Sequence, residues 1–168
     1  MNLTRRVLVA LALLLTSVGA VSAQAATFRD LRWDFTDEQA AAYLASLGYV
    51  RAPGGPTPPA GIPVDIRAFH HAGNSPQARQ AVLYQLRSGR LSSVHYTLRA
   101  PSAAVEAAKR ALEAELDRRF GGHRPHPVTP GVLLWNTGSN VVTLRTEAVR
   151  GEAVLHVVYH APGSREAA

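Results

Sequence analysis

Residues 102–122 have the sequence SAAVEAAKRALEAELDRRFGG, and their pattern, end signals and composition all predict one long helix. Apolar side chains recur every three or four positions and therefore share one side of that helix. They are Val105, Ala108, Leu112, Leu116 and Phe120. Ser102 is suited to cap the start, and Gly121 to adopt the backbone conformation that ends the last turn. At about 1.5 Å per residue the helix is roughly 27 Å long, so its apolar side predicts a sheet as its packing partner.

Outside this helix the hydrophobic period changes from 3.6 to two residues, which is typical of β-strands. The predicted strands are residues 64–69, 80–87, 91–99, 132–135, 141–149 and 153–160. Ahead of them, Thr36 and Gln39 form a capping-box pattern that predicts a first helix ending at Gly48. The predicted order is therefore a helix and three strands, followed by a helix and three strands.

These segments predict an α+β fold in which two helices pack on one face of an antiparallel sheet of five or six strands. The order is consistent with a loose αβββ duplication within a single domain, residues 26–168. Its first half would be residues 26–101 and its second half residues 102–168. Residues 27–34 are expected to form either an edge strand or a strap over the core. Residues 52–63 and 121–131 are rich in proline and glycine and are predicted as surface loops.

Residues 1–25 have the pattern of a secretory signal peptide. Arg5 and Arg6 precede an apolar run, and small residues then offer a cleavage point after Ala23 or Ala25. The run is too short to span a bilayer. We therefore expect export to the periplasm or the cell exterior, with no stable membrane anchor after cleavage. The arginine pair suits both the general secretory route and the twin-arginine route, so the sequence leaves that choice open.

The composition limits the class of partner. The 168 residues carry a formal net charge of +6 and no cysteine, so the fold has no disulfide and no lipid-bearing cysteine. Nearly all basic residues are arginines scattered among acids, with Lys109 as the only lysine. Such scatter is unlike the basic stripe of a nucleic-acid-binding protein. We expect no nucleic-acid partner and no cofactor, and the sequence does not indicate an oligomeric state.

The order of elements and a few motifs carry a family resemblance. Phe28, Leu31 and Trp33 form an F-x-x-L-x-W motif ahead of the first helix, and the long helix ends in F-G-G at Gly121. With the exported N-terminus, this resembles small periplasmic modules of the BamE type and of the β-lactamase inhibitory protein type. The chain lacks the lipoprotein cysteine of the first and the disulfide cysteines of the second, so no binding residues are carried over. The resemblance implies a protein-binding or assembly role in the envelope.

Motifs for enzymatic chemistry are absent from the sequence. There is no G-x-S-x-G elbow, no cysteine nucleophile and no glycine loop that would cradle a phosphate. Asp65 and Glu147 are the only acids within the predicted strands, and Glu147 is expected to face solvent. We therefore expect a non-catalytic protein without catalytic residues.

The seven histidines are the remaining candidates for function. If the helices cover one face of the sheet, alternation places a possible partner-binding set on the other: Tyr84, His95, His156 and His160. At roughly 3.3 Å per residue, His156 and His160 lie about 13 Å apart and cannot share one ion. Either of them meets His95 only if the strand register brings them together. The preferred partner is another envelope or extracellular protein.

A metal or small-ligand site is the alternative interpretation. His123 and His126 lie three residues apart on a loop and could act as a pair of metal ligands, although no third ligand follows nearby. A periplasmic carrier of a small ligand or a metal, using the histidine-bearing sheet face, is therefore the rival to a protein-binding module.

Overall fold

The structure is a computed structural model that describes residues 28, 30–54, 56, 64–149 and 151–163. The predicted signal peptide, residues 1–25, lies outside the described residues, as does most of the first proline-rich loop. The elements in chain order are α1 (Asp37–Ser46), β1 (Tyr49–Arg51), β2 (Val64–His71), β3 (Arg79–Arg87), β4 (Arg90–Ala100), α2 (Ser102–Phe120), β5 (Arg124–Pro125), β6 (Leu133–Asn136), β7 (Val141–Val149) and β8 (Glu152–His160).

All of these strands belong to one antiparallel sheet, in the order β1-β2-β3-β4-β8-β7-β6-β5. The prediction of five or six strands is therefore wrong, because the described residues form a sheet of eight strands and strand dominates the fold. The missed strands, β1 and β5, are three and two residues long. Segments this short show no measurable alternation, and only their pairing with a neighbouring strand defines them.

Each half of the chain contributes one helix and then four strands that pair in succession. This αββββ order replaces the predicted αβββ order. The last strands of the two halves, β4 and β8, pair with each other at the centre of the sheet, from Ser93 opposite His160 to Ala100 opposite Ala153. The central side chains on both faces therefore come from both halves.

The helix α1 begins as the sequence predicted. Thr36 accepts a hydrogen bond from the backbone N–H of Gln39, and the Gln39 side chain accepts one from the Thr36 N–H, which confirms the capping box. Ala40 and Leu44 are buried against the sheet. The helix is thus held by its cap and by one apolar side.

The helix α2 begins one residue earlier than predicted, since Pro101 and not Ser102 is the N-cap. Pro101 makes no side-chain capping bond, but its fixed φ suits a helix start and its carbonyl accepts from the N–H groups of Ala104 and Val105. The predicted end at Gly121 is confirmed, with a φ of 84°. The fully buried side is Val105, Ala108, Leu112 and Leu116.

Both described helices pack on the same side of the sheet, which we call the core face. Strand alternation and register show which buried side chains lie on the core face. Among them are Val82, Tyr96, Leu144, Leu155 and Val157. We call the opposite side the second face. Its side chains on β3, β4, β7 and β8 include Leu83, Ser93, His95, Thr97, Arg99, Val141, Thr143, Arg145, Glu147, Val154, His156, Val158 and His160. No helix in the described ranges packs on the second face.

The segment before α1 is a strap and not an edge strand. Phe28 is buried on the core face beneath the central strands, with its ring edge-on to those of Tyr96 and Tyr159. Trp33 Nε1 donates to Asn140 Oδ1 at 2.9 Å, and the Phe35 carbonyl accepts from the N–H of Leu91 at 3.0 Å. The strap therefore touches both halves of the sheet. None of the helices in the described part of the chain is both long and apolar enough for a membrane span.

Candidate functional site

The second face has a buried floor and a charged rim. Its side chains with less than one tenth of their surface exposed are Ser93, Leu134, Val141, Val154, His156 and His160. Around them, Glu152 lies 3.5 Å from Arg79 and 3.7 Å from Arg99 in exposed ion pairs. Buried side chains surrounded by solvated charged groups are the usual anatomy of a protein interface.

The strand register joins two of the predicted histidines. Thr97 lies directly opposite His156, so His95 and His156 are diagonal neighbours on adjacent strands. Their rings meet with His95 Nε2 3.0 Å from His156 Nδ1. The ring centroids are 5.2 Å apart, so the two imidazoles meet edge to edge through these nitrogens and do not stack. The contact is a hydrogen bond in which one nitrogen donates and the other accepts.

Glu147 extends this contact from the next strand, β7. Its Oε1 lies 3.1 Å from His156 Nε2, off the direction of a straight hydrogen bond, and its Oε2 lies 3.3 Å from Arg145 Nη1. Val154 is directly opposite Glu147, so this contact is diagonal as well. Three strands thus contribute one continuous row, Glu147–His156–His95, which we call the histidine chain.

The protons of the histidine chain can be assigned from its contacts. A carboxylate 3.1 Å from His156 Nε2 would repel a lone pair there, so that nitrogen carries the proton. His156 Nδ1 then holds a lone pair, and it must accept the hydrogen bond from His95 Nε2–H. The remaining nitrogen, His95 Nδ1, is left as an acceptor.

Burial keeps both imidazoles of the chain neutral near pH 7. Desolvation, followed by the charges of His156, Arg145 and His160, lowers the pKa of His95 to about 4, and Glu147 offsets this only in part. Desolvation and Arg145 also lower the pKa of His156, against the opposing effect of Glu147. The neutral tautomers assigned above are therefore the relevant ones at physiological pH.

His160 lies on the second face as predicted, between Ser93 on β4 and Val141 on β7. It is buried, with 9 % of its surface exposed, and lies four residues along β8 from His156. It therefore contributes to the floor of the second face and to the electrostatic environment of His95.

Tyr84 does not lie on the second face, which corrects its predicted place. It is 1 % exposed on the core face, and its hydroxyl donates to the Asp37 carboxylate at the start of α1. The same carboxylate accepts from Arg51 at 2.8 Å and from Arg67 at 3.2 Å. Burial favours a higher pKa for Asp37, but the hydrogen bonds from Tyr84 and Arg51 outweigh it and lower the pKa. Tyr84 thus links helix to sheet, and the error arose because alternation alone gives no absolute face.

The loop histidines are engaged separately and not as a ligand pair. His123 Nδ1 lies 3.0 Å from Asp117 Oδ1, which also accepts from Trp135 Nε1 at 2.9 Å. His126 Nδ1 accepts from the N–H groups of the following turn at 3.1 and 3.2 Å. Among the residues that the structure describes, no group of three or more histidines, cysteines or acids could hold a metal ion.

The sequence missed Glu147 as a member of the site. It was expected to face solvent because it precedes a hairpin turn, yet its side chain is only 38 % exposed and reaches a buried histidine. The sequence did contain a signal. Glu147 and His156 lie on the two strands of a tight hairpin and share one face, and long side chains at such diagonal positions can contact each other.

Comparison of the chain with models of known protein families, with curated proteins and with solved structures finds no match in any of the three.

Proposed function

We propose that this chain is an exported, non-catalytic protein-binding or assembly module of the cell envelope and that the second face is its contact surface. The observation that carries the proposal is the asymmetry of the sheet. Both described helices pack on the core face, whereas the second face buries His156 and His160 and joins His95 to His156 by a hydrogen bond. Burial of polar side chains costs free energy of desolvation, and we take their presence here as support for a role in recognition.

The charge of the second face indicates the kind of partner. Arginines outnumber acids along its strands, and its acids Glu147 and Glu152 are already paired with arginines. The rim therefore has excess positive charge, which favours a protein with an acidic surface. The assembly role implied by the resemblance to small periplasmic modules agrees with this assignment.

The test is capture of envelope proteins by the exported form, recovered from cells that express the full chain. Thr97→Arg places a bulky charge on the second face next to the histidine chain, and Ala114→Arg places the same group on the exposed side of α2 as a matched control. We expect a partner that binds the wild type and Ala114→Arg at comparable levels and binds Thr97→Arg at least tenfold less. Equal capture by both variants, or none by the wild type, would overturn the proposal.

A small-ligand carrier is the second candidate, and one feature favours it. A hollow of about 360 Å³ lies beside β5 and β6, lined by Gly122, Arg124, Leu134 and Asn136. Native mass spectrometry of the exported protein would detect a retained molecule. Its release by Arg124→Ala, together with no partner in the capture experiment, would favour the carrier over the protein-binding module.

A further inference from the structure

The histidine chain leaves one acceptor unused at the centre of the second face. Once His156 Nε2 carries a proton toward Glu147, each later proton position is fixed, and the chain ends at the lone pair of His95 Nδ1. Among the described residues His95 Nδ1 has no hydrogen-bond partner, and it is not among the side-chain atoms sealed from solvent. A half-buried acceptor with a fixed orientation can take a hydrogen bond from a donor of a bound molecule.

The groups around His95 limit which donor can approach. Arg145 on β7 and His160 and His156 on β8 face it, Glu147 on β7 is the one acid among them, and Leu83 lies directly opposite on β3. A lysine or arginine of a partner would meet the repulsion of Arg145, while an ionised aspartate or glutamate has no proton to donate. An uncharged donor, such as a hydroxyl or an amide N–H, meets neither obstacle.

We propose that His95 is a specificity-determining subsite of the second face, which accepts a hydrogen bond through Nδ1 from an uncharged donor of the bound protein. His156 and Glu147 are positioning residues, because they fix the tautomer and the ring orientation of His95 without touching the partner. This inference rests on the proposed function of the second face. It adds that recognition requires neutral His95, since a second ring proton turns the acceptor into a donor.

The tautomer is tested on the protein alone. Nitrogen-15 NMR of the histidine rings at pH 7.5 should show His95 protonated at Nε2 and unprotonated at Nδ1. Glu147→Gln removes the charge that fixes His156 and should produce a mixture of tautomers at His95. A proton on His95 Nδ1 in the wild type would overturn the inference, whatever the outcome of the capture experiment.

The role in binding is tested with the solubilised envelope fraction as the probe. His95→Leu keeps bulk and removes both nitrogens, and should lower capture about tenfold, the value of one hydrogen bond. His95→Gln offers an amide N–H to His156 Nδ1 and an oxygen acceptor, and should recover most of the capture. Ala114→Gln is the control, since Ala114 lies on the exposed side of α2, away from the second face, and should leave capture unchanged. Melting temperatures show whether each variant is folded.

The two failures are distinguishable. Capture that is sensitive to Thr97→Arg but equal for wild type and His95→Leu would overturn this inference and leave the proposed function standing. Capture by none of the proteins would overturn the proposed function and the inference with it. Loss in His95→Leu with recovery in His95→Gln would support the inference, because simple removal of packing would not be repaired by a polar side chain.

Discussion

Lowering the pH from 7.5 to 5.0 should destabilise the folded protein through the histidine chain. The pKa of His95 lies at about 4 in the fold, against an ordinary value of 6.5, because burial and nearby positive groups disfavour its charged form. His95 therefore becomes protonated near pH 6.5 in the unfolded chain but only near pH 4 in the folded chain. The contribution to stability is complete above pH 6.5 and is lost progressively through the window from 6.5 to 4.

The magnitude follows from the width of that window. One pH unit within it is worth about 1.4 kcal/mol, so acidification to pH 5 removes about 2 kcal/mol through a fully shielded His95. Because His95 is only half-buried, screening by solvent reduces the expected loss to about 1–2 kcal/mol. The lowered pKa of His156 acts in the same direction.

Urea unfolding followed by tryptophan fluorescence measures this loss, since Trp33 and Trp135 both contact the folded core. The free energy of unfolding should be determined at pH 7.5, 6.5, 5.5 and 5.0 for the wild type, His95→Gln and the control Ala114→Gln, which replaces an exposed residue of α2. We expect the His95→Gln curve to be flatter than that of the wild type by about 1–2 kcal/mol across this range. The Ala114→Gln curve should be parallel to that of the wild type, because this substitution adds and removes no titratable group. A His95→Gln curve parallel to the wild type would refute the assigned burial of the chain.

Three further changes test the structure that positions the site. Asp37→Asn removes the charge that holds Tyr84 and the neighbouring arginines and should lower the free energy of unfolding in urea by about 1–3 kcal/mol. The control Asp34→Asn, whose partner is an exposed arginine, should lower it by less than about 0.5 kcal/mol. Equal losses in the two variants would contradict the linking role of Asp37. Leu112→Ala empties a fully buried site and should cost about 2–5 kcal/mol, and a melting temperature unchanged from the wild type would argue against α2 as the main cover. Phe28→Ala should cost about 3–5 kcal/mol with increased proteolysis of the strap, and a protease-resistant variant would show that the strap is dispensable.

Elements with a hydrophobic or capping pattern of their own were predictable from the sequence. The helix α2 was predictable because four of its apolar residues recur at helical spacing and Gly121 ends it, and α1 because its capping box lies in four consecutive residues. The longer strands were predictable to within two residues because alternation needs only neighbouring positions. Cysteine content, charge and the candidate role of the histidines also follow from sequence alone.

Features that depend on strand register are visible only in the folded protein. The short strands β1 and β5 are defined only by their pairing with longer strands, so the sheet of the described residues has eight strands and not the predicted five or six. Tyr84 lies on the core face because the register places it opposite Val94, and from there its hydroxyl reaches Asp37. The histidine chain joins three strands through diagonal contacts, and a shift of one residue between β4 and β8 would reverse the faces and separate His95 from His156. Local pattern gives each strand two faces, but only the pairing of strands decides which side chains meet.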